Sequence, residues 1–154
     1  MTPFALDCRF PASFRRFVPQ ASMTRLPDAL HHVLHKKMSG SVTIVGVSDR
    51  VMRTLNRRYR GKDRTTDVLS FLYTGNTTKG AQMIIGDILL SIPEVRRQAR
   101  ERNVSATFVT HELIVHGLLH LLGYDHERSQ RDEKIMFELQ KKIVHHVLSS
   151  TSHP

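Results

Sequence analysis

The sequence predicts an α+β domain: a small mixed β-sheet packed with helices, among them a buried histidine-bearing helix and a C-terminal amphipathic helix. Three observations carry that expectation. Strand-like runs at 42–47, 67–71 and 83–91 are interspersed with stretches of helical periodicity. The stretch 116–126, HGLLHLLGYDH, sets Leu118, Leu119, Leu121 and Leu122 around two histidines, so its helix is expected inside a core. Ile135, Met136, Leu139, Ile143, Val144 and Val147 then recur at three- and four-residue spacing. The 154 residues are one domain's worth, 1–154, and suffice to bury a core without disulfides.

Taken in order, residues 1–20 are Phe-rich and broken by Pro3, Pro11 and Pro19, which fits a short strand or an extended arm. Leu30, Val33 and Leu34 mark a helix over 27–38, starting nearer Ala21 and capped by Gly40. The β-branched, almost unbroken apolar run 42–47 reads as a strand, after which Ser48 or Asp49 caps a helix to about Asn56. Residues 59–66 lack periodicity and read as a basic loop. A strand at 67–71, a turn or flexible loop at 74–80 and a strand at 83–91 can form an antiparallel hairpin. The strand at 42–47, separated by a helix, is placed to pair parallel, which makes the sheet mixed. Pro93 and Glu94 suit the first turn of a helix over 93–102 with an arginine-laden exposed face. Ser105 is a candidate cap for the histidine helix, which runs to about Leu122. Residues 149–154 are expected to fray.

His116 and His120 lie four residues apart, so on a helix their imidazoles share one face. Gly123 permits a left-handed cap, and the turn that follows can return His126 toward the same point. Three neutral imidazoles suit zinc, and three protein ligands leave a coordination position for water, the pattern of catalytic rather than structural zinc. Cys8 is the only cysteine, so no local motif closes the site with sulfur. His31 and His35 repeat the spacing without a third ligand or glycine turn and read as surface histidines.

Lys and Arg total 23 against 14 acids, a net charge of +9 that favours a polyanionic partner such as RNA or an acidic membrane surface. No apolar run approaches the ~20 residues of a membrane helix, and no secretory signal is evident, so a cytoplasmic protein is expected. The lone cysteine agrees with a reducing compartment. The Arg-bearing, acid-poor N-terminus leaves an organellar transit peptide as a minor alternative.

HGLLHLLGYDH resembles the signature of the YbeY family, the metal-dependent endoribonucleases of ribosomal RNA maturation and ribosome quality control. The likeness extends to LNRRYRGKDRTTDVLSF at 55–71 and IIGDILLS at 84–91, in the family's order, and covers roughly 42–139. It implies a single-strand-specific endoribonuclease acting on small-subunit ribosomal RNA precursors, with a zinc-activated water as nucleophile and ribosomal proteins as partners. Phosphodiester hydrolysis needs a cation for the charge growing on the non-bridging oxygens, and Arg60, in the block resembling the family's conserved loop, is the candidate. Arg57, Arg58, Lys62 and Arg64 are expected to bind phosphates along the RNA. Thr66, Asp67, Gly86, Asp87 and Asp125 are read as loop-fixing or supporting residues.

Two other function classes stay open. HELIVH at 111–116 is similar to the HExxH of zinc peptidases but one residue too long, and Gly117 stands where the peptidase base would follow His116. Glu112, one turn earlier, is a candidate second acceptor or alternative base, and His111 a packing residue. A non-catalytic ribosome assembly factor with a structural zinc is the other alternative.

Overall fold

The computed structural model describes residues 4–73, 78, 79 and 82–149. A mixed sheet runs β1 (Phe4–Arg9), β2 (Gly40–Val47), β5 (Gln82–Ser91), β3 (Val68–Leu72). β1, β2 and β5 are parallel, β3 is antiparallel to β5, and the short β4 (Thr78–Lys79) also pairs with β5. The expected hairpin and the expected parallel pairing are therefore both present. Of the turn expected at 74–80, residues 74–77 and 80 lie outside the described residues.

Among the described residues, a 3-10 turn at Arg15–Phe17 and five α-helices complete the domain: α1 (Gln20–Leu34), α2 (Asp49–Arg60), α3 (Ile92–Arg102), α4 (Ala106–Leu121) and α5 (Gln130–Ser149). Val42 and Ile44 of β2 are fully buried while Ser41, Thr43 and Val45 are only half-buried, so β2 has a core side and a more open side rather than two buried faces. α4 lies on the core side. A Cβ at Gly117 would sit 2.9 Å from Ile88 Cγ2 and 3.0 Å from Ser70 Oγ, so glycine lets the histidine helix approach the sheet. Phe71, next to Ser70, faces the opposite side and meets Tyr59 of α2 there, with ring centroids 5.2 Å apart. α2 and α4 thus grip β3, an edge strand, from its two faces.

Several expected boundaries move. α1 starts at Gln20, carries Pro27 inside it, and ends where His35 turns left-handed at φ 54; Gly40 instead opens β2. His35 therefore lies off the helix, and His31 Nδ1 meets Lys36 O at 3.0 Å, so the two do not form a helical pair. α2 is capped by Ser48, whose hydroxyl accepts from Val51 N–H, and it runs on through Arg60 to a left-handed Gly61. The basic loop is correspondingly shorter than 59–66. An almost wholly polar sequence hid that last turn, which its arginines favour by complementing the negative helix end.

Gly86 holds β5 against β3: a Cβ there would lie 2.2 Å from Phe71 O. Gly86→Ala is expected to cost about 3 kcal/mol by forcing the strands apart. A lowered urea midpoint checks this, and an unchanged midpoint would refute it.

Candidate metal centre

α4 begins at Ser105, whose hydroxyl accepts from Phe108 N–H at 3.1 Å, and delivers His116 and His120 on one stripe. Their Nε2 atoms are 3.2 Å apart. Leu118 and Leu119 are fully buried and Leu121 nearly so, as a histidine helix inside a core requires. The helix stops at a paired motif: Gly123 N–H donates to His120 O and Tyr124 N–H to Leu119 O, each at 3.0 Å. Gly123 has φ +96, which an L side chain rarely adopts. The chain returns from that turn to set the His126 ring 5.1 Å from each of the other two. One ligand atom from each histidine lies within 4.8 Å of the others.

The donor set fits a cation. His116 Nδ1 lies 2.9 Å from Gln140 Oε1 on α5; the carbonyl only accepts, so Nδ1 carries the proton and Nε2 turns a lone pair to the centre. His126 Nδ1 is buried and has no hydrogen-bond partner among the described residues. Burial pushes the His116 and His120 imidazoles below their ordinary pKa, which keeps them in the neutral, metal-ligating form. Gln140, a buried polar residue on the stripe of Met136, Ile143 and Val144, went unread in the sequence. Its only local signal is an amide among apolar neighbours.

Gln140→Leu is expected to weaken metal binding roughly 10- to 100-fold, because the imidazole loses the group that fixes its orientation. Competition against a chromogenic chelator measures it, and equal affinity would remove Gln140 from the centre.

The imidazoles open into a groove of about 620 Å³ along β3, lined also by Asn56, Arg60, Lys62, Arg64, Thr66, Asp67 and Asp125. Arg60, the last residue of α2, donates from Nη2 to Ser70 O at 3.0 Å. Asn56 is buried and donates to Arg64 O at 2.8 Å, and Arg53 grips Asp63 through Nε at 3.0 Å, so the basic loop is tied to α2. Of the five basic residues singled out, Arg60, Lys62 and Arg64 line the groove. Arg57 stands with Arg50 and Arg53 in a separate hollow, 3.8 Å from Asp63, and Arg58 lies over the Tyr59 ring.

The supporting residues divide. Asp67 Oδ1 accepts from Val68 N–H and Oδ2 from Gln98, and Asp125 Oδ1 accepts from Glu127 N–H, so both fix backbone. Asp87 accepts from the Tyr73 hydroxyl and is not among the groove's lining residues. Glu112 forms a two-pronged pair with Arg102, at 2.7 and 3.2 Å; it does not line the groove but shares a second cavity with His116 and Gln140. Cys8 sits on β1, at the opposite edge of the sheet, its thiol pushed up to about 11 chiefly by burial.

His111 is buried in packing, as expected, between Thr107 O at 2.6 Å and Ser22 Oγ at 2.8 Å. Desolvation lowers its pKa from 6.5, as it does for His116 and His120. Just below that value the unfolded chain binds protons that the folded chain refuses, so stability rises with pH there. It is complete above the ordinary imidazole value and falls as the pH drops toward the lowered ones. Metal-free protein is therefore expected to melt lower at about pH 5.5 than at about pH 7.5; equal melting temperatures would contradict the burial argument.

An α+β fold that gathers three imidazoles at an arginine-bearing groove has the arrangement of a metal-dependent hydrolase. The comparisons make the class particular. Residues 16–148 match the family model described as Endoribonuclease YbeY. The chain is 36% identical over 135 residues to the Endoribonuclease YbeY of Persephonella marina, covering 88% of this chain and 84% of that one. It is 34% identical to that of Shouchella clausii, over 84% of this chain and 88% of the relative. A solution structure from Thermotoga maritima superposes with a TM-score of 0.63 at 30% identity, covering 95% of this chain and 91% of that one. The chain belongs to the endoribonuclease YbeY family, and with the family comes the enzyme class, a hydrolase of RNA phosphodiester bonds.

Proposed function

We propose that this endoribonuclease is specific for single strands, matures small-subunit ribosomal RNA precursors and serves ribosome quality control in the cytoplasm, with zinc as its ion. The observation that carries the proposal is that Arg60, Lys62 and Arg64 line the same groove as His116, His120 and His126. The three imidazoles hold the ion. Bound there, zinc would supply Lewis acidity and a nucleophilic water at neutral pH. Arg60, tethered by one nitrogen to Ser70 O, keeps its other donors for the non-bridging oxygens of the scissile phosphate. Lys62 and Arg64 take flanking phosphates, and Arg57 and Arg58, outside the groove, take more distant ones. Ribosomal proteins are the partners expected alongside RNA. Among the described residues no helix is long and apolar enough to cross a membrane.

The peptidase alternative loses its footing at Gly117, where the space for a base is taken by Ile88 and Ser70. Purified protein is expected to cleave single-stranded RNA and spare duplex, to lose cleavage to a chelator and to regain it with zinc. Casein hydrolysis without RNA cleavage would reinstate the peptidase. Normal ribosomal RNA processing in cells carrying a folded triple His→Ala variant would make the protein a non-catalytic assembly factor.

A further inference from the structure

We propose that Tyr59 is a stacking shelf for an unpaired nucleobase beside the groove, and that this shelf is a determinant of single-strand selectivity. The inference rests on the endoribonuclease reading of that groove. Tyr59 is the penultimate residue of α2, is 55% exposed and directly precedes Arg60, which lines the groove. It stands edge-to-face against Phe71, the rings inclined at 69°. Phe71 follows Ser70, the residue whose carbonyl tethers Arg60, and the Arg60 guanidinium lies 6.0 Å from the centre of the Phe71 ring. The Arg58 guanidinium lies 5.4 Å from the centre of the Tyr59 ring. Leu72, the next residue on β3 after Phe71, is 56% exposed and lines the groove.

Arg60 links groove and shelf, because it lines the groove and lies over Phe71, the ring against which Tyr59 stands. Two touching aromatic rings, one with the Arg58 guanidinium over it and the other with that of Arg60, suit a ligand with a π-face and an adjacent negative charge, which describes a nucleobase on its phosphate. A purely apolar protein surface would have to desolvate both arginines to reach the ring. In a duplex each base already stacks on its neighbours and pairs across the helix, so only an unpaired base is free to lie on Tyr59. Every base has a π-face, so the shelf is expected to tolerate sequence while rejecting pairing.

The test uses full-length protein stripped of metal, so that binding is read without cleavage. It is titrated with a single-stranded RNA carrying 2-aminopurine and with the same strand annealed to its complement. Tyr59→Leu keeps an apolar contact with Phe71, and Tyr59→Phe keeps the ring; circular dichroism checks that both fold. Wild type and Tyr59→Phe should quench 2-aminopurine on binding the single strand, and Tyr59→Leu should bind it about ten-fold more weakly without quenching. Duplex affinity should change less than about two-fold, since its bases are already stacked. Wild-type affinity and quenching in Tyr59→Leu, or an equal loss on duplex, would overturn the shelf. A separate cleavage assay of metal-loaded wild type tests the underlying reading: absent cleavage with quenching intact would sink the nuclease function and leave the shelf standing.

Discussion

His120→Ala is expected to empty the centre and lower RNA cleavage roughly a thousandfold, the several kcal/mol of transition-state stabilisation an active-site cation supplies. His120 is the cleanest of the three imidazoles to remove. His116 is also bound to Gln140 Oε1, so its loss would strand a buried amide, at about 1–3 kcal/mol, and mix folding with chemistry. The hydrogen-bonding contact of the His120 ring is with His116 Nε2, inside the centre itself. Removing the ring leaves two imidazoles that no longer enclose an ion, while the Gly123 turn is built from backbone and survives. Elemental analysis should show metal falling from about one equivalent to near zero at unchanged helix content. Metal-free binding of single-stranded RNA should persist, because Arg60, Lys62 and Arg64 are untouched. An active His120→Ala variant that keeps its metal would dismantle the centre as described.

How far the sequence disclosed this arrangement follows from the range of each interaction. His116, His120 and His126 fall within eleven consecutive residues, and helix period plus the left-handed tolerance of Gly123 suffice to bring them together. The parallel and antiparallel pairings were legible because a helix separates β2 from the hairpin strands whereas a short loop joins those two. Gln140 was not legible, since it reaches His116 across 24 residues and through the packing of α5 on α4. For Glu112 the partner was the hidden part. It shares the helical stripe of His116, but Arg102 at the end of α3 claims it, a contact set by tertiary packing. The end of α2 was misplaced because periodicity fails where nearly every residue is polar; only Gly61 marks the stop. The shift matters for function, because it puts Arg60 on a helix end pinned to β3 and not in mid-loop.

That pinned position leads to the second large effect. Arg60→Ala is expected to lower kcat by roughly 100- to 1000-fold, the loss typical when one donor to developing transition-state charge is removed. Metal content should be unchanged, because Arg60 bonds to Ser70 O and to no imidazole. Stability should change little, since this bond lies at an exposed strand edge where water can replace the guanidinium. Arg60→Lys should restore only part of the rate: an ammonium keeps the charge but cannot hold Ser70 O and two phosphate oxygens with one planar fork. Binding and catalysis separate by salt. Losing one phosphate contact should reduce the slope of log K against log salt by about 0.7 for a single strand, a small change beside the loss in kcat. A variant whose KM rises while kcat stays within about three-fold would place Arg60 among the phosphate-binding residues, since uniform binding lost from ground and transition states alike leaves kcat unaltered.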